Sequence, residues 1–232
     1  MKNIFVLLYF SLAFTFFGGA GEGERLHQFI DPALLQDDRV QLFAYTTRQD
    51  KEYRVGAVLI DTEPEMIWDI LQDMETLGKD LPYLDYQKIR KKDEDGRTGE
   101  MLVEGRFNIP HFTAQYTITM NFDRPRKWRE WRILTPGEVE SYRRKGTHVL
   151  QTSGLIRNME GFEYLEATDA GAKTIYYYAL DIQSTIPLPE FVKKSLSEPL
   201  LIQHLRFIRD RAESRKAKKV STAARISSRI TE

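Results

Sequence analysis

Four histidines are the side chains of this sequence best suited to bind a metal ion or to transfer a proton. They are spread along the chain as His27, His111, His148 and His204. No two of them lie one helical turn apart, and none has a carboxylate at the spacing that metal sites use. The chain contains no cysteine, which excludes disulfides, thiol catalysis and thiolate zinc sites. We therefore predict neither a metal nor a cofactor.

Nucleophile and phosphate-binding motifs are also absent from the sequence. Ser153 is followed by a glycine but not preceded by one, whereas the nucleophile elbow of hydrolases has glycines on both sides at a strand-to-helix turn. The glycines at 18, 19, 21 and 23 belong to the N-terminal leader and its exit, so they do not form a phosphate-binding loop. Hydrolase chemistry is not indicated by these motifs.

Four polar side chains remain as candidates for acid or base roles inside a cavity: Arg106, His111, Tyr116 and Arg132. Strand alternation puts Arg106 and Arg132 on the face opposite their apolar neighbours, and His111 falls at a turn. Such positions are more typical of a surface or a gate than of a catalyst. A cyclase-like or hydrolase-like enzyme stays open as an alternative on these residues.

The elements that would position these side chains are mainly strands. Apolar residues occupy every second position over residues 101–109 and again over 112–122. A period of two over this length predicts antiparallel strands with one apolar and one wet face. Further strands are predicted at residues 40–48, 53–61, 127–134, 148–156, 159–166 and 174–183.

Two helices are predicted beside these strands. The first follows the second strand, where Met66, Ile70 and Leu71 recur on one helical face. The second runs from residue 189 to about residue 215, and its apolar stripe changes phase near Pro199, which is expected to bend it. From residue 216 onward the Ser, Thr, Ala and Lys content without apolar periodicity predicts a disordered tail.

Three segments resemble the START-like superfamily, also called SRPBCC or helix-grip proteins. Residues 40–73 look like its opening strands and helix, and residues 154–165 with 174–178 look like its closing strands. The run Ile186-Pro187-Leu188-Pro189 is similar to the loop that precedes its C-terminal helix. The resemblance covers roughly residues 38–213 and implies an α+β helix-grip fold, in which a curved antiparallel sheet wraps around a long C-terminal α-helix.

This resemblance implies an apolar cavity that binds, and transfers without catalysis, a lipid, sterol or similar hydrophobic ligand. The candidate wall residues are Met101, Val103, Phe107, Tyr116, Ile118, Met120 and Trp131 from the sheet, and Val192, Leu196 and Leu200 from the helix. The candidate gate residues are Tyr83, Pro187 and Phe191. Plain core packing is the alternative role for each wall residue.

The N-terminus has the pattern of a cleavable signal peptide. An apolar run from Ile4 to Phe17 follows Lys2 and ends at small residues, and it is shorter than the ~20 residues that span a bilayer. We predict a signal peptide at 1–20, an N-terminal extension at 21–37, one START-like domain at 38–213 and a basic tail at 214–232. The protein is therefore expected to be a bacterial member exported to the periplasm or secreted.

Charge argues against a nucleic-acid partner, because Lys and Arg together number 34, as do Asp and Glu. Basic residues do cluster at the C-terminal end, where they form either a solvated helix end or a transient contact with anionic lipid head groups, at ~1 kcal/mol for each residue. A third functional alternative is a protein-interaction module that uses the aromatic faces of Trp128, Tyr142 and Tyr176 to Tyr178.

Overall fold

The computed structural model describes residues 23, 25–36, 39–109, 112–153, 156–185 and 190–230, with side chains throughout these ranges except at 109, 112, 184, 190–197 and 223–230. The helices and strands within them are α1 (Pro32–Leu35), β1 (Gln41–Thr46), β2 (Glu52–Ile60), α2 (Pro64–Gln72), α3 (Met74–Asp80), β3 (Leu84–Glu94), β4 (Thr98–Ile109), β5 (Phe112–Asp123), β6 (Trp128–Ile133), α4 (Pro136–Arg144), β7 (Ile156–Thr168), β8 (Lys173–Ser184) and α5 (Glu190–Ile230).

The described strands form a curved antiparallel sheet in the order β1-β2-β8-β7-β6-β5-β4-β3. Neighbours in the chain are neighbours in the sheet, except that β2 pairs with β8 and so joins the first hairpin to the last strand. The predicted apolar face of β4 and β5 is buried in the main hydrophobic core through residues such as Met101 and Met120. The opposite face is not wet as predicted, because Leu102 and Thr117 are also fully buried, and Leu102 packs against Val139 of α4. The predicted helix-grip fold is confirmed.

Helix α5 lies across the concave face of the sheet. Its residues Leu201, Leu205, Ile208 and Ala212 are fully buried, and their spacing of three or four positions keeps them on one helical face. A Cβ atom on Gly56 of β2 would come within 2.4 Å of Cδ1 of Leu205. The missing side chain at this position therefore lets the helix approach the sheet closely.

The C-terminal tail differs from its prediction, because α5 continues to Ile230 instead of giving way to a disordered tail. No glycine or proline follows Pro199 in the helix, and the residues beyond 213 include many Ala, Lys and Arg. These residues favour a helix through their backbone and rotamer preferences even where no apolar face is present. The bend expected at Pro199, a residue inside α5, stays a prediction.

Three further segments differ from the sequence predictions. Strand β3 and helix α4 were not predicted, and the strand predicted at 148–156 is wrong, because residues 147–153 have no regular structure and β7 begins only at Ile156. Residues 147–153 are held instead by bonds such as the one from the Leu150 amide to Thr117 Oγ1, at 2.8 Å. A Thr135–Glu138 capping box begins α4.

The described part of the N-terminal extension packs on the convex face of the sheet. Leu26, Ile30 and Leu35 form a second hydrophobic cluster there with residues such as Trp128 and Tyr177. The extension therefore belongs to the folded unit. The predicted signal peptide at 1–20 lies outside the described residues, and within the described ranges no helix has the length and apolar character needed to cross a bilayer.

Candidate functional site

A cavity of about 50 Å³ lies between α3, α5 and the concave face of the sheet. Five of the predicted wall residues line it, namely Phe107, Tyr116, Ile118, Met120 and Trp131. Tyr83, predicted as a gate residue, also lines it, from the turn just before β3. Apolar side chains from α3, including Met74 and Leu77, complete the wall.

The other predicted site residues lie elsewhere or outside the described part of the chain. Met101 and Val103 are buried in the same core without lining the cavity, and Leu200 is half-buried against that core. The side chains of Val192, Leu196 and Phe191 are not among those described, and Pro187 lies outside the described residues.

Arg129 and Glu163 line the cavity as a buried ion pair that the sequence analysis missed. Their side chains are only 2% and 3% exposed, and they face each other across paired strands β6 and β7. Two parallel bonds join them, from Arg129 Nε to Glu163 Oε2 and from Nη2 to Oε1 at 2.8 Å. Arg129 Nη1 also donates to the carbonyl of Leu71 at the end of α2.

Alternation could have found Arg129, because it lies two residues before Trp131 and therefore on the same face of β6. Burial alone would lower the pKa of Arg129, but the charge and hydrogen bonds of Glu163 outweigh burial and hold that pKa above its usual value. Arg129 therefore keeps its charge inside the cavity, where its two bonds to Glu163 compensate it.

His204 of α5 lies between two tyrosines that approach it from opposite sides. The Tyr83 hydroxyl is 2.6 Å from Nδ1, and the Tyr176 hydroxyl is 2.9 Å from Nε2. Tyr178 stacks on the imidazole with ring centroids 4.1 Å apart. The three contacts tie the helix to β8 on one side and to the turn just before β3 on the other.

Burial, and then the nearby charge of Arg129, lower the pKa of His204 to about 3. The imidazole is therefore neutral at physiological pH, so one ring nitrogen donates to a tyrosine oxygen and the other accepts from a tyrosine hydroxyl. Burial also raises the pKa of both Tyr83 and Tyr176 well above the usual value. The network contains no group that titrates near neutral pH.

Gln87 and Tyr178 each bring to the cavity lining a polar atom that has no hydrogen-bond partner among the described residues. Gln87 donates through Nε2 to the Tyr116 hydroxyl at 3.3 Å, but its Oε1 atom is buried without a partner. The Tyr178 hydroxyl likewise bonds to none of the described residues. One acceptor and one hydroxyl are thus free to bond to a bound molecule.

The remaining polar candidates for an enzyme site are engaged outside the cavity. Arg106 pairs with Asp85 at 3.1 Å, and Arg132 donates to Glu138 at 2.6 Å. His111 lies outside the described residues. Of the four residues proposed for acid or base roles, only Tyr116 is placed at the cavity by the structure.

The aromatic faces considered for protein docking are used within the fold. Trp128 stacks on Phe162 with centroids 4.7 Å apart, and the Tyr142 hydroxyl donates to Glu100 at 3.1 Å. Tyr177 is fully buried under the N-terminal extension. Within the described part of the chain, no group of three or more metal-ligating side chains is present either.

No family model and no curated protein matches this sequence. Solved structures match in fold, among them a START superfamily protein from Mycobacterium smegmatis, with a TM-score of 0.54 and 15% identity over 69% of this chain and 96% of that chain. An aromatase/cyclase from a Streptomyces species matches with a TM-score of 0.54 and 13% identity over 76% and 96%.

A STAR-related lipid transfer protein from Xanthomonas axonopodis matches with a TM-score of 0.51 and 12% identity over 75% of this chain and 93% of that chain. The matches therefore include binding proteins and enzymes. Strand order, the helix across the concave face and these likenesses together show that the chain has the helix-grip fold of the START-like superfamily.

Proposed function

We propose that this protein binds a hydrophobic ligand in the cavity under α5 and releases it chemically unchanged, as a carrier. The observation that carries the proposal is the cavity lining, which is mainly apolar and whose ionisable groups are already bonded to one another. Pockets that bind small hydrophobic molecules have this composition, with few polar groups that fix the orientation of the ligand.

The methionines of the lining support a binding role. Met74, Met120 and Met159 line the cavity, and they are three of the six methionines of the chain. Methionine is unbranched and polarisable, so it adapts to ligands of different shapes. The lining is therefore suited to repacking around a bound molecule.

The cavity must enlarge before it can hold a lipid-sized molecule. Its volume of about 50 Å³ accommodates a few water molecules, whereas pockets for larger ligands measure roughly 300 Å³ or more. We propose that α5 and the segment around Tyr83 separate to admit the ligand, which breaks the 2.6 Å bond between Tyr83 and His204. Pro187 and Phe191, near the start of α5, remain part of the proposed gate.

The polar atoms of the cavity favour a ligand with a neutral hydrogen-bonding group. Glu163 pairs with Arg129 through two parallel bonds, so the lining, as far as the structure describes it, offers no free cation to a carboxylate or a phosphate. Gln87 Oε1 offers an acceptor, and the Tyr178 hydroxyl can donate or accept. A hydroxyl group on the ligand would satisfy both atoms.

Acid–base catalysis is disfavoured by the state of these groups. The pKa of His204 is lowered to about 3, and both its nitrogens are bonded to tyrosines. A general base works best when its pKa lies near the operating pH.

For the carrier role we further propose export through the signal peptide at 1–20 and transfer of the ligand between membranes.

Co-purification and uptake test the carrier role. Protein purified from its native host is extracted with solvent and examined by mass spectrometry, and a hydrophobic molecule near one per chain is expected. Met120→Trp should fill the cavity and strongly lower uptake of a fluorescent lipid, whereas the volume-conserving Met120→Leu should retain it. Thermal unfolding of both variants confirms that they are folded.

Two results would overturn the proposal. One is protein that is consistently empty and takes up no fluorescent lipid or sterol probe. The other is uptake that is equal in wild type and in folded Met120→Trp, which would place binding outside this cavity. Conversion of a small cyclisable substrate to a cyclised product would assign the cyclase alternative instead.

A further inference from the structure

Helix α5 continues well beyond the part that covers the sheet. Among the side chains that the structure describes in this helix, Ala212 is the last that is fully buried, and residues 217–222 are all exposed, including Val220 at 62%. At a rise of ~1.5 Å per residue, residues 213–230 extend about 27 Å. We call residues 213–230 the projecting helix.

The projecting helix is strongly basic although the whole chain is neutral. Residues 214–230 contain six Lys or Arg residues and no Asp or Glu. An isolated helix of this length is only marginally stable in water. A surface that neutralises the charge and covers one side of the helix would therefore stabilise it.

Two of the six basic residues are held by the domain itself. Lys216 lies 3.0 Å from the Asp61 carboxylate and donates to the Asp61 carbonyl at 2.9 Å. Lys219 lies 3.8 Å from Glu63. These contacts fix the base of the projecting helix to the loop before α2.

Arg215 and Lys218 are the other basic residues of the projecting helix whose side chains the structure describes. Both are exposed and have no acidic partner among the described residues. The sequence continues the same helical spacing at Arg225 and Arg229. Ala217 and Val220, both exposed, lie between the basic positions.

We propose that the projecting helix docks on an anionic membrane surface. Clusters of four to eight basic residues on a helix are typical of binding to anionic lipids, and small apolar residues beside them can enter the interface. The neutral charge of the chain as a whole does not favour a nucleic-acid partner. Docking brings α5, the helix that closes the cavity, to the bilayer.

The test uses the full chain and two kinds of vesicle, one of phosphatidylcholine alone and one that also contains phosphatidylglycerol. The wild-type protein should bind the anionic vesicles and should not bind the neutral ones. Its affinity for the anionic vesicles should fall as the salt concentration rises. Arg215→Gln with Lys218→Gln should bind about 30-fold more weakly, since each basic residue contributes ~1 kcal/mol.

A matched control removes two positive charges elsewhere. Arg144 and Lys145 lie at the end of α4, where both are exposed. The double variant Arg144→Gln with Lys145→Gln should bind anionic vesicles with an affinity within about two-fold of that of wild type. Circular dichroism checks that each variant keeps its helix. Because vesicle binding is measured without a ligand, it does not depend on the outcome of the uptake experiment.

Several results would overturn the membrane proposal. They are absence of binding to anionic vesicles, equal binding to neutral vesicles, and equal losses in the test variant and the control. Tighter binding to a DNA duplex that Arg215→Gln with Lys218→Gln abolishes would assign a nucleic acid. Self-association that the same variant abolishes would assign a second copy of the chain.

Discussion

At the scale of single residues, the cavity depends on buried polar groups that satisfy one another. Arg129 is joined to Glu163 by two parallel bonds. His204 is neutral and lies between Tyr83 and Tyr176. Removing one member of such a group leaves its partner buried and unsatisfied, which costs more than the bond itself contributed. This asymmetry leads to two predictions.

Glu163→Gln should lower the free energy of unfolding by about 3–5 kcal/mol, because it leaves the buried Arg129 charge without compensation. Arg129→Met with Glu163→Met removes both charges and should be less destabilising than the single change. Urea denaturation measures all three proteins. Asp69→Asn, which removes an exposed partner of Arg124, is the control and should cost about 1 kcal/mol or less. A double variant less stable than Glu163→Gln would contradict the argument.

Acid should destabilise the fold partly through His204. Its pKa falls from 6.5 to about 3 on folding, so between those pH values the unfolded chain binds the extra proton. The stabilisation is complete above pH ~6.5 and is lost as pH falls toward ~3, by at most about 1.4 kcal/mol per pH unit. Unfolding free energies of wild type and His204→Gln, measured at several pH values, should therefore converge as pH falls.

Val139→Ala supplies the control for this pH dependence. Val139 is buried in α4 and carries no ionisable group, so the stability that this change removes should be nearly independent of pH. The gap between Val139→Ala and wild type should therefore stay constant over the same pH range. A constant gap between wild type and His204→Gln would show that the imidazole is not held neutral by the fold.

At the scale of elements, sequence periodicity predicts those that bury one regular face. Strands β4 and β5 and the buried stripe of α5 are of this kind. Strand β3 was not predicted, because its second half carries charged residues at almost every position and so shows no alternation of apolar and polar residues. Helix α4 escaped because Val139 is its only fully buried residue, although the Thr135–Glu138 spacing is a helix-start signal.

The contact between β2 and α5 should behave as a coupled pair. Leu205→Ala should cost about 2–5 kcal/mol by leaving a cavity, and Gly56→Ala about 1–3 kcal/mol by overpacking. The double variant should lose less free energy of unfolding than the sum of the losses in the two single variants, because Leu205→Ala removes the atom that the new Cβ would meet. Gly137→Ala in α4, where a Cβ would meet nothing within 4 Å, is the control and should cost no stability, because alanine favours a helix more than glycine does. Additive losses in urea denaturation would contradict close packing here.

At the scale of the whole molecule, the candidate site combines residues that are distant in the sequence. Alternation identified the apolar wall at Phe107, Ile118 and Met120, because each belongs to one regular strand. His204 meets Tyr83 across 121 positions and Tyr176 across 28. Local periodicity contains no information on such pairings, which arise only when the sheet curves and α5 crosses it. The contacts of His204 were therefore not predictable from the sequence pattern.

The two open edges of the sheet have a consequence for behaviour at high concentration. Strand β3 forms one edge, with Lys88, Lys91 and Lys92 along it and two register shifts. The other edge, β1, is bonded through Gln41 to Asp31 of the extension. Charged, irregular or covered edges resist pairing with strands of other molecules. The charged side chains of β3, which made this strand hard to predict from periodicity, thus protect the protein from edge-to-edge aggregation.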